Sequence, residues 1–311
     1  MLVDERIDAK NGANAMLGKV RWSASKSLWF IGMLCGWLTF GIAYFSWSAV
    51  WLFLATSIVT LCGGHSLGMH RKFIHQSFSC AVWLEWIGVY LGTLVGLGGP
   101  RTMMFTHDMR DWAQRQDKCH AFLSHQSGVL KDHFWQLHCK LEFTCSPEMR
   151  WPDSCARGSF YYFLQRTSML QQLPWAILFY TIGGLGWVAW GICGRVVVSI
   201  FGHWAIGYRA HNVGKQDWIV EGAAVQGHNV AFAGLISFGE CWHNNHHAFP
   251  GSARIGLLSG QWDPGWWTLQ ALSKIGLVSK MTVPADIPIR PNLIAKSDLE
   301  TASPSSHREP R

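Results

Sequence analysis

The sequence predicts an all-α integral membrane protein with four transmembrane helices and a cytoplasmic cap rich in histidine. Three observations carry this expectation. Charged residues make up only 14% of the 311 residues, against about 25% in an ordinary soluble domain. The deficit is concentrated, because no Asp, Glu, Lys or Arg occurs from Leu28 to Met69 or from Thr167 to Gly194. Both runs exceed the roughly 20 apolar residues that span a bilayer. Most of the fifteen His fall at the ends of these runs or in the polar stretches between them.

The elements follow in chain order. Residues 1–27 form a polar N-terminal segment, basic near its end at Lys19, Arg21 and Lys26, which suits a cytoplasmic location. The run 28–69 is about two spans long and breaks at Tyr44-Phe45-Ser46-Trp47, so two helices are expected, over 28–45 and 48–69. Residues 79–99 are apolar but contain Glu85 and many Gly. A full span there would put the flanking His clusters on opposite sides of the membrane, so a shallow interfacial helix is expected. Residues 100–166 form a polar layer. A third span covers 170–190, a Gly-Ile-Cys-Gly turn follows, and a fourth covers 193–210. The membrane domain as a whole runs from 28 to 278. The segment 279–311, rich in Pro, Ser and Arg, is expected to be disordered.

A net charge of +7 fits the Lys/Arg excess of cytoplasmic loops better than a nucleic-acid surface. Nine Cys without a C-x-x-C pair read as reduced, mostly buried thiols.

The motif that organises the chain is GECWHNNHHAFP, residues 239–250. His243, His246 and His247 lie at i, i+3 and i+4, which share one helical face. Neutral imidazoles so placed bind iron, zinc or copper. His70 and His75 are spaced H-x-x-x-x-H. That spacing turns through about 500° on an α-helix, so both cannot share an α-helical face. A helix end that unwinds would present one from the helix and one from beyond it. His203, on the fourth span, would approach the same point from the opposite side, giving six converging imidazoles.

In combination these residues resemble the membrane fatty acid desaturase family, and most closely its bacterial acyl-CoA desaturase-like branch. FGECWHNNHHAFPGSARIGL is similar to the third histidine box of that branch, GMHRKFIHQSF to the first, and GHWAIGYR to the segment that donates one more His from the last span. The resemblance covers roughly residues 28–278. It implies two Fe ions held mainly by His70, His75, His107, His203, His243, His246 and His247, in a cytoplasmic di-iron site. It implies dioxygen as oxidant and a long acyl chain, as acyl-CoA or acyl lipid, as substrate. It implies a separate electron donor, ferredoxin or a small cytochrome, since no His-Pro-Gly-Gly signature of a fused cytochrome occurs. The implied location is a multi-pass protein of the bacterial inner membrane.

The second box departs from the family's H-x-x-H-H. Here it reads His107-Asp108-Met109-Arg110-Asp111. Asp111 is expected to replace an imidazole by a carboxylate, a good ligand for ferric iron. Arg110 stays protonated and cannot ligate, so it is expected to pair with Asp108, Asp111 or an acyl headgroup. His120, His125 and His133 are further candidates for the gap, His133 also as a supporting residue. The Asn that the family carries four residues before its last-span His is replaced by Ser199. Glu240 is expected to orient a box-three imidazole. His65, His138, His211 and His228 read as packed histidines.

Because related boxes also serve hydroxylases and alkyl monooxygenases, lipid hydroxylation is the alternative reaction. A metal transporter would place its ligands at the bilayer midplane in repeated halves, and an intramembrane zinc protease would carry H-E-x-x-H. Neither pattern is present. A haem carrier would need only a few axial His within spans.

Overall fold

A computed structural model describes residues 6–10, 12–153, 155 and 158–298. Its helices, in chain order, are α1 (Ala24–Ala43), α2 (Trp47–Ile58), α3 (Val82–Leu94), α4 (Pro100–Gln114), α5 (Ala121–Ser124), α6 (Val129–His138), α7 (Ser159–Thr167), α8 (Gln172–Val188), α9 (Arg195–Asn212), α10 (His243–Ala248) and α11 (Pro264–Lys274). Two π-helical stretches, Val59–Ile74 and Ala189–Gly194, extend α2 and join α8 to α9.

Among the described residues, three continuous helices are long and apolar enough to cross a membrane: Ala24–Ala43, Trp47–Ile74 and Gln172–Asn212. Their outer faces carry large apolar side chains that no described residue covers, among them Leu28, Ile42, Trp47 and Trp51. Such a surface suits hydrocarbon and not water. The break expected near residue 46 is present, because α1 stops at Ala43 and Ser46 caps α2 by accepting from the Ala49 amide at 3.2 Å.

The third long helix folds back on itself. Gly184 has φ 66° and ψ −161°, a left-handed-side conformation open to glycine and rare for other residues. A side chain at Gly191 would touch the Phe179 ring, and Arg195 Nη2 donates to Gln172 Oε1 at 2.7 Å across 23 residues. The chain therefore reverses at Gly184. The reversal expected at Gly191–Gly194 is thus corrected: that stretch is π-helical and packed, with Gly194 close against Trp37. Tight packing there needs small residues, which is why it reads as a turn in sequence.

The two reversals lie together. Gly186 packs on the Tyr44 carbonyl, Trp187 Nε1 donates to Ser48 Oγ at 3.1 Å, and Trp190 Nε1 donates to Gly41 O at 3.0 Å. From this common end, the helix containing α2 and the helix containing α9 run the same way. Their far ends carry His70 and His75 on one and His211 on the other.

Helix α3 is 13 residues long, about 20 Å at 1.5 Å per residue, too short for a full crossing. It lies on the π-helical part of the second span through two glycine stripes, Gly64 and Gly68 against Gly88 and Gly92. Small residues four apart let two backbones meet. A Cβ at Gly68 would overlap the Gly88 carbonyl group, whereas one at Gly63 would meet Leu91 Cδ1 at an ordinary 3.6 Å. Gly68→Ala is therefore expected to destabilise the protein by about 1–3 kcal/mol or more through overpacking, lowering the melting midpoint in detergent, while Gly63→Ala changes stability by no more than about 0.5 kcal/mol. Equal midpoints for the two variants would refute the close crossing.

The cap is not wholly helical, which corrects the all-α expectation. Among the described residues, four two-stranded antiparallel ribbons tie distant segments together. Gly18–Trp22 pairs with Cys139–Phe143, Ser79–Cys80 with Val278–Ser279, and Trp218–Val220 with Leu293–Ala295. The last two pairings show that the segment from 279, expected to lack structure, packs back on the cap as far as residue 298. Residues 299–311 lie outside the described residues.

Candidate metal centre

The π-helical winding solves the spacing problem of the first box. In a π-helix the amide of residue i+5 bonds to the carbonyl of residue i, and the His75 amide donates to His70 O at 3.0 Å. Residues five apart then lie one turn apart. His70 and His75 present their rings to one point, with centroids 4.8 Å apart.

Helix α4 adds His107 from a second direction, with Nε2 3.1 Å from His75 Nε2. Helix α10 adds His246, whose ring centroid is 4.6 Å from His70 and 4.8 Å from His75. One ligand atom from each of His70, His75, His107 and His246 lies within 4.8 Å of the others. A second group of the same tightness is formed by His211, His243 and His247. His243 Nε2 stands next to both of the others, 3.0 Å from His247 Nε2 and 3.2 Å from His211 Nε2. Helix α10 divides its histidines between the groups, because His243 and His247 are i and i+4 while His246 projects to the other side.

Each group is backed by fixed acceptors. Glu240 Oε2 lies 2.6 Å from His70 Nδ1, and its other oxygen accepts from Ser66 Oγ at 2.5 Å. Arg71, 1% exposed, reaches the same carboxylate and forms a 2.8 Å bond to Asp263. Asp108 Oδ1 lies 3.1 Å from His107 Nδ1. His211 Nδ1 donates to the Gly207 carbonyl at 2.7 Å. Such outer partners select the tautomer that leaves Nε2 free for a metal.

Electrostatics agree with that role. Burial, and then the imidazole of His70, pushes His243 down to about 3. Burial and neighbouring imidazoles hold His246 and His247 well below the ordinary range. These rings are neutral at pH 7, as ligation requires. Burial alone would raise Glu240, yet His70 and Arg71 hold it well below the carboxylate range, so it stays anionic. Buried imidazole nitrogens that converge at 3.0–3.2 Å, with the outer nitrogens of His70, His107 and His211 already facing oxygen atoms, fit metal ions.

Several expected residues lie elsewhere. His203 is not in either group; its ring stands edge-on to His65 at 5.1 Å. It precedes His211 by eight residues, about 12 Å along a helix. On the last long helix it is His211, expected to be a packed histidine, that joins one of the two groups. Ser199 shares the displacement: it is buried, its hydroxyl has no hydrogen-bond partner among the described residues, and the residue four before His211 is Gly207. Asp111 belongs to neither group; Oδ2 lies 2.8 Å from Arg115 Nη2, one helical turn on. Arg110 points away from the histidines, with Nη1 on His125 Nε2 and Nη2 donating to Gln136 Oε1 at 2.8 Å. It pairs with neither Asp108, which is bound to Arg6, nor Asp111. His125 is held by Asp132 at 2.8 Å and stacks on His211 at 5.2 Å. His120 caps α5 by accepting from the Phe122 amide. His133 packs edge-on to Trp204 at 4.6 Å.

No family model matches the chain. Curated relatives do. Over 245 residues, the chain is 31% identical to the sn-2 palmitoyl-lipid 9-desaturase of Nostoc sp. (strain 36), covering 76% of this chain and 83% of that one. It is 32% identical over 260 residues to the sn-1 stearoyl-lipid 9-desaturase of Anabaena variabilis, with 82% and 92% covered. The chain belongs to the membrane fatty acid desaturase family. The desaturase is also 31% identical over 253 residues to the icosanoyl-CoA 5-desaturase of Limnanthes douglasii, with 78% and 68% covered. It is therefore an oxidoreductase that desaturates fatty acyl chains, in a membrane to which its long apolar helices are suited.

Proposed function

We propose that this desaturase holds two iron ions, one in each histidine group, and inserts a double bond into a long acyl chain with dioxygen and an external electron donor. One observation supports this most strongly: seven buried or half-buried imidazoles gather into two adjoining groups within a desaturase-family chain. Iron with dioxygen would supply the oxidising power that removes one hydrogen from each of two neighbouring methylenes, the oxygen leaving as water. Two electrons from a ferredoxin or small cytochrome, with two protons from solvent, complete the balance, and two waters leave.

The protein's own residues do the rest. His70, His75, His107 and His246 bind one ion; His211, His243 and His247 bind the other. Glu240, Asp108 and the Gly207 carbonyl orient the rings. Arg71 compensates the Glu240 and Asp263 carboxylates, so that buried charge near the site is paired. In this reading the chain crosses the bilayer four times, with the hairpin at Gly184 contributing two crossings. The histidine-bearing helix ends face the cytoplasm, at the inner membrane of a bacterium. The acyl group rides on a lipid or on coenzyme A, since relatives named for both occur.

Expression in a host lacking the activity, followed by lipid analysis and iron determination, tests the proposal. New monounsaturated chains with close to two ions per chain are expected. Hydroxylated lipids from iron-loaded protein would favour the alternative reaction, and a protein that binds no iron would overturn the metal assignment.

A further inference from the structure

The second histidine group has three imidazoles where the first has four, and the gap faces Gln114. This side chain is 2% exposed and stands one turn beyond Arg110 on α4. Its Nε2 donates to the Leu123 carbonyl at 2.8 Å. Its Oε1 lies 3.2 Å from His211 Nε2.

That last contact is a conflict in the absence of a cation. The Gly207 carbonyl can only accept, so His211 carries its proton on Nδ1 and leaves Nε2 as a lone pair. The Leu123 carbonyl can likewise only accept, so the Gln114 amide must turn its nitrogen outward and its oxygen towards His211. Rotating the amide would merely move the clash to Leu123. Two acceptors then face each other in a buried place, with His243 Nε2 a further 3.2 Å from His211 Nε2. Unpaired buried acceptors are costly, and a positive ion between them removes the cost.

Resting on the two-ion reading above, we propose that Gln114 Oε1 is a metal ligand of the second group. It supplies the oxygen donor that sequence reading sought in Asp111. Asp111 is turned to Arg115, and Arg110 is engaged by His125 and Gln136. A neutral amide oxygen is a weaker donor than a carboxylate or an imidazole. The second ion is thus the more easily removed of the two.

Metal binding can be read without turnover by titrating iron-stripped protein in detergent with cobalt(II), following the visible ligand-field bands and the ions bound per chain. In Gln114→Leu, cobalt affinity at one site is expected to fall by more than the roughly 10–100-fold that loss of an outer hydrogen-bond partner costs, the other site being unchanged. In Gln114→Glu, which keeps an oxygen at the same reach but loses the amide N–H, that site is expected to bind as tightly as in the parent or more so. If both variants lose the site equally, the bond to Leu123 and not the oxygen is what matters, and the proposal is wrong. It is also wrong if Gln114→Leu binds two ions with parental affinity and spectrum. A parent that itself binds no cobalt or iron sinks the two-ion reading instead.

Discussion

His246→Ala and His243→Ala are each expected to abolish desaturation, while removing different ions. His246 faces His70 and His75, with centroids 4.6 and 4.8 Å away. His243 lies between His247 and His211, its Nε2 3.0 and 3.2 Å from theirs. Both stand on one short helix, so a merely structural effect would make the two variants behave alike. Instead, His246→Ala should leave the second ion in place, and His243→Ala the first, with about one iron per chain in each. The double variant should bind close to none. Iron determination on purified protein, together with lipid analysis of the expressing cells, reads both quantities. The folded state is expected to persist, because truncating either ring removes one member of a group and leaves the ribbons and spans untouched. Retained turnover in either single variant would show that its ring is not a ligand.

The division of α10 between two ions was partly legible. Three histidines at i, i+3 and i+4 announce one face and a metal. They do not say that the face is wide enough to serve two sites, which depends on what α4 and α9 bring from either side. The first box was legible as a pair and misread as geometry, because an α-helical pitch was assumed. The i→i+5 bond between His70 and His75 belongs to a π-helix, and no local residue preference announces that winding. The winding lies where Gly64 and Gly68 meet Gly88 and Gly92 of the neighbouring α3.

His203 and His211 differ in a way that spacing alone cannot resolve. Both lie on α9 among aromatic and small residues. Only the reversal at Gly184 sets the register of this helix against the rest. The expectation of His203 rests on the resemblance of GHWAIGYR to the family's last-span segment, and a turn placed at Gly191–Gly194 gives no register against which to test it. The Gly183-Gly184 pair was the available signal, since a glycine pair within an apolar run marks a turn. The uncharged runs, by contrast, predicted long apolar helices directly, because the cost of burying charge in hydrocarbon leaves its mark on composition itself.

Asp108→Ala is expected to cost about 3–5 kcal/mol of stability, the penalty for removing one member of a buried ion pair. Asp108 is 0% exposed and Arg6 1%, and they meet through two bonds of 2.6 and 2.9 Å. Arg6 also donates to the Ile74 carbonyl at 2.9 Å, the residue before His75. Asp108 Oδ1 in turn lies 3.1 Å from His107 Nδ1. One carboxylate thus joins the N-terminal segment, the end of the second span and a ligand of the first group. Burial would raise its pKa, yet the bonds from His107 and Arg6 hold it lowered, so it remains a charge that Arg6 requires. The fold role and the metal role can be separated. In the double variant Arg6→Met/Asp108→Leu both members of this buried pair are replaced by apolar side chains, so much of the melting midpoint should return. His107, however, still lacks the acceptor that fixes its tautomer, so metal affinity at the first group should stay about 10–100-fold low. Thermal unfolding of the iron-stripped protein and cobalt titration in detergent measure the two effects independently. Recovery of full affinity together with stability would show that Asp108 acts on the fold alone.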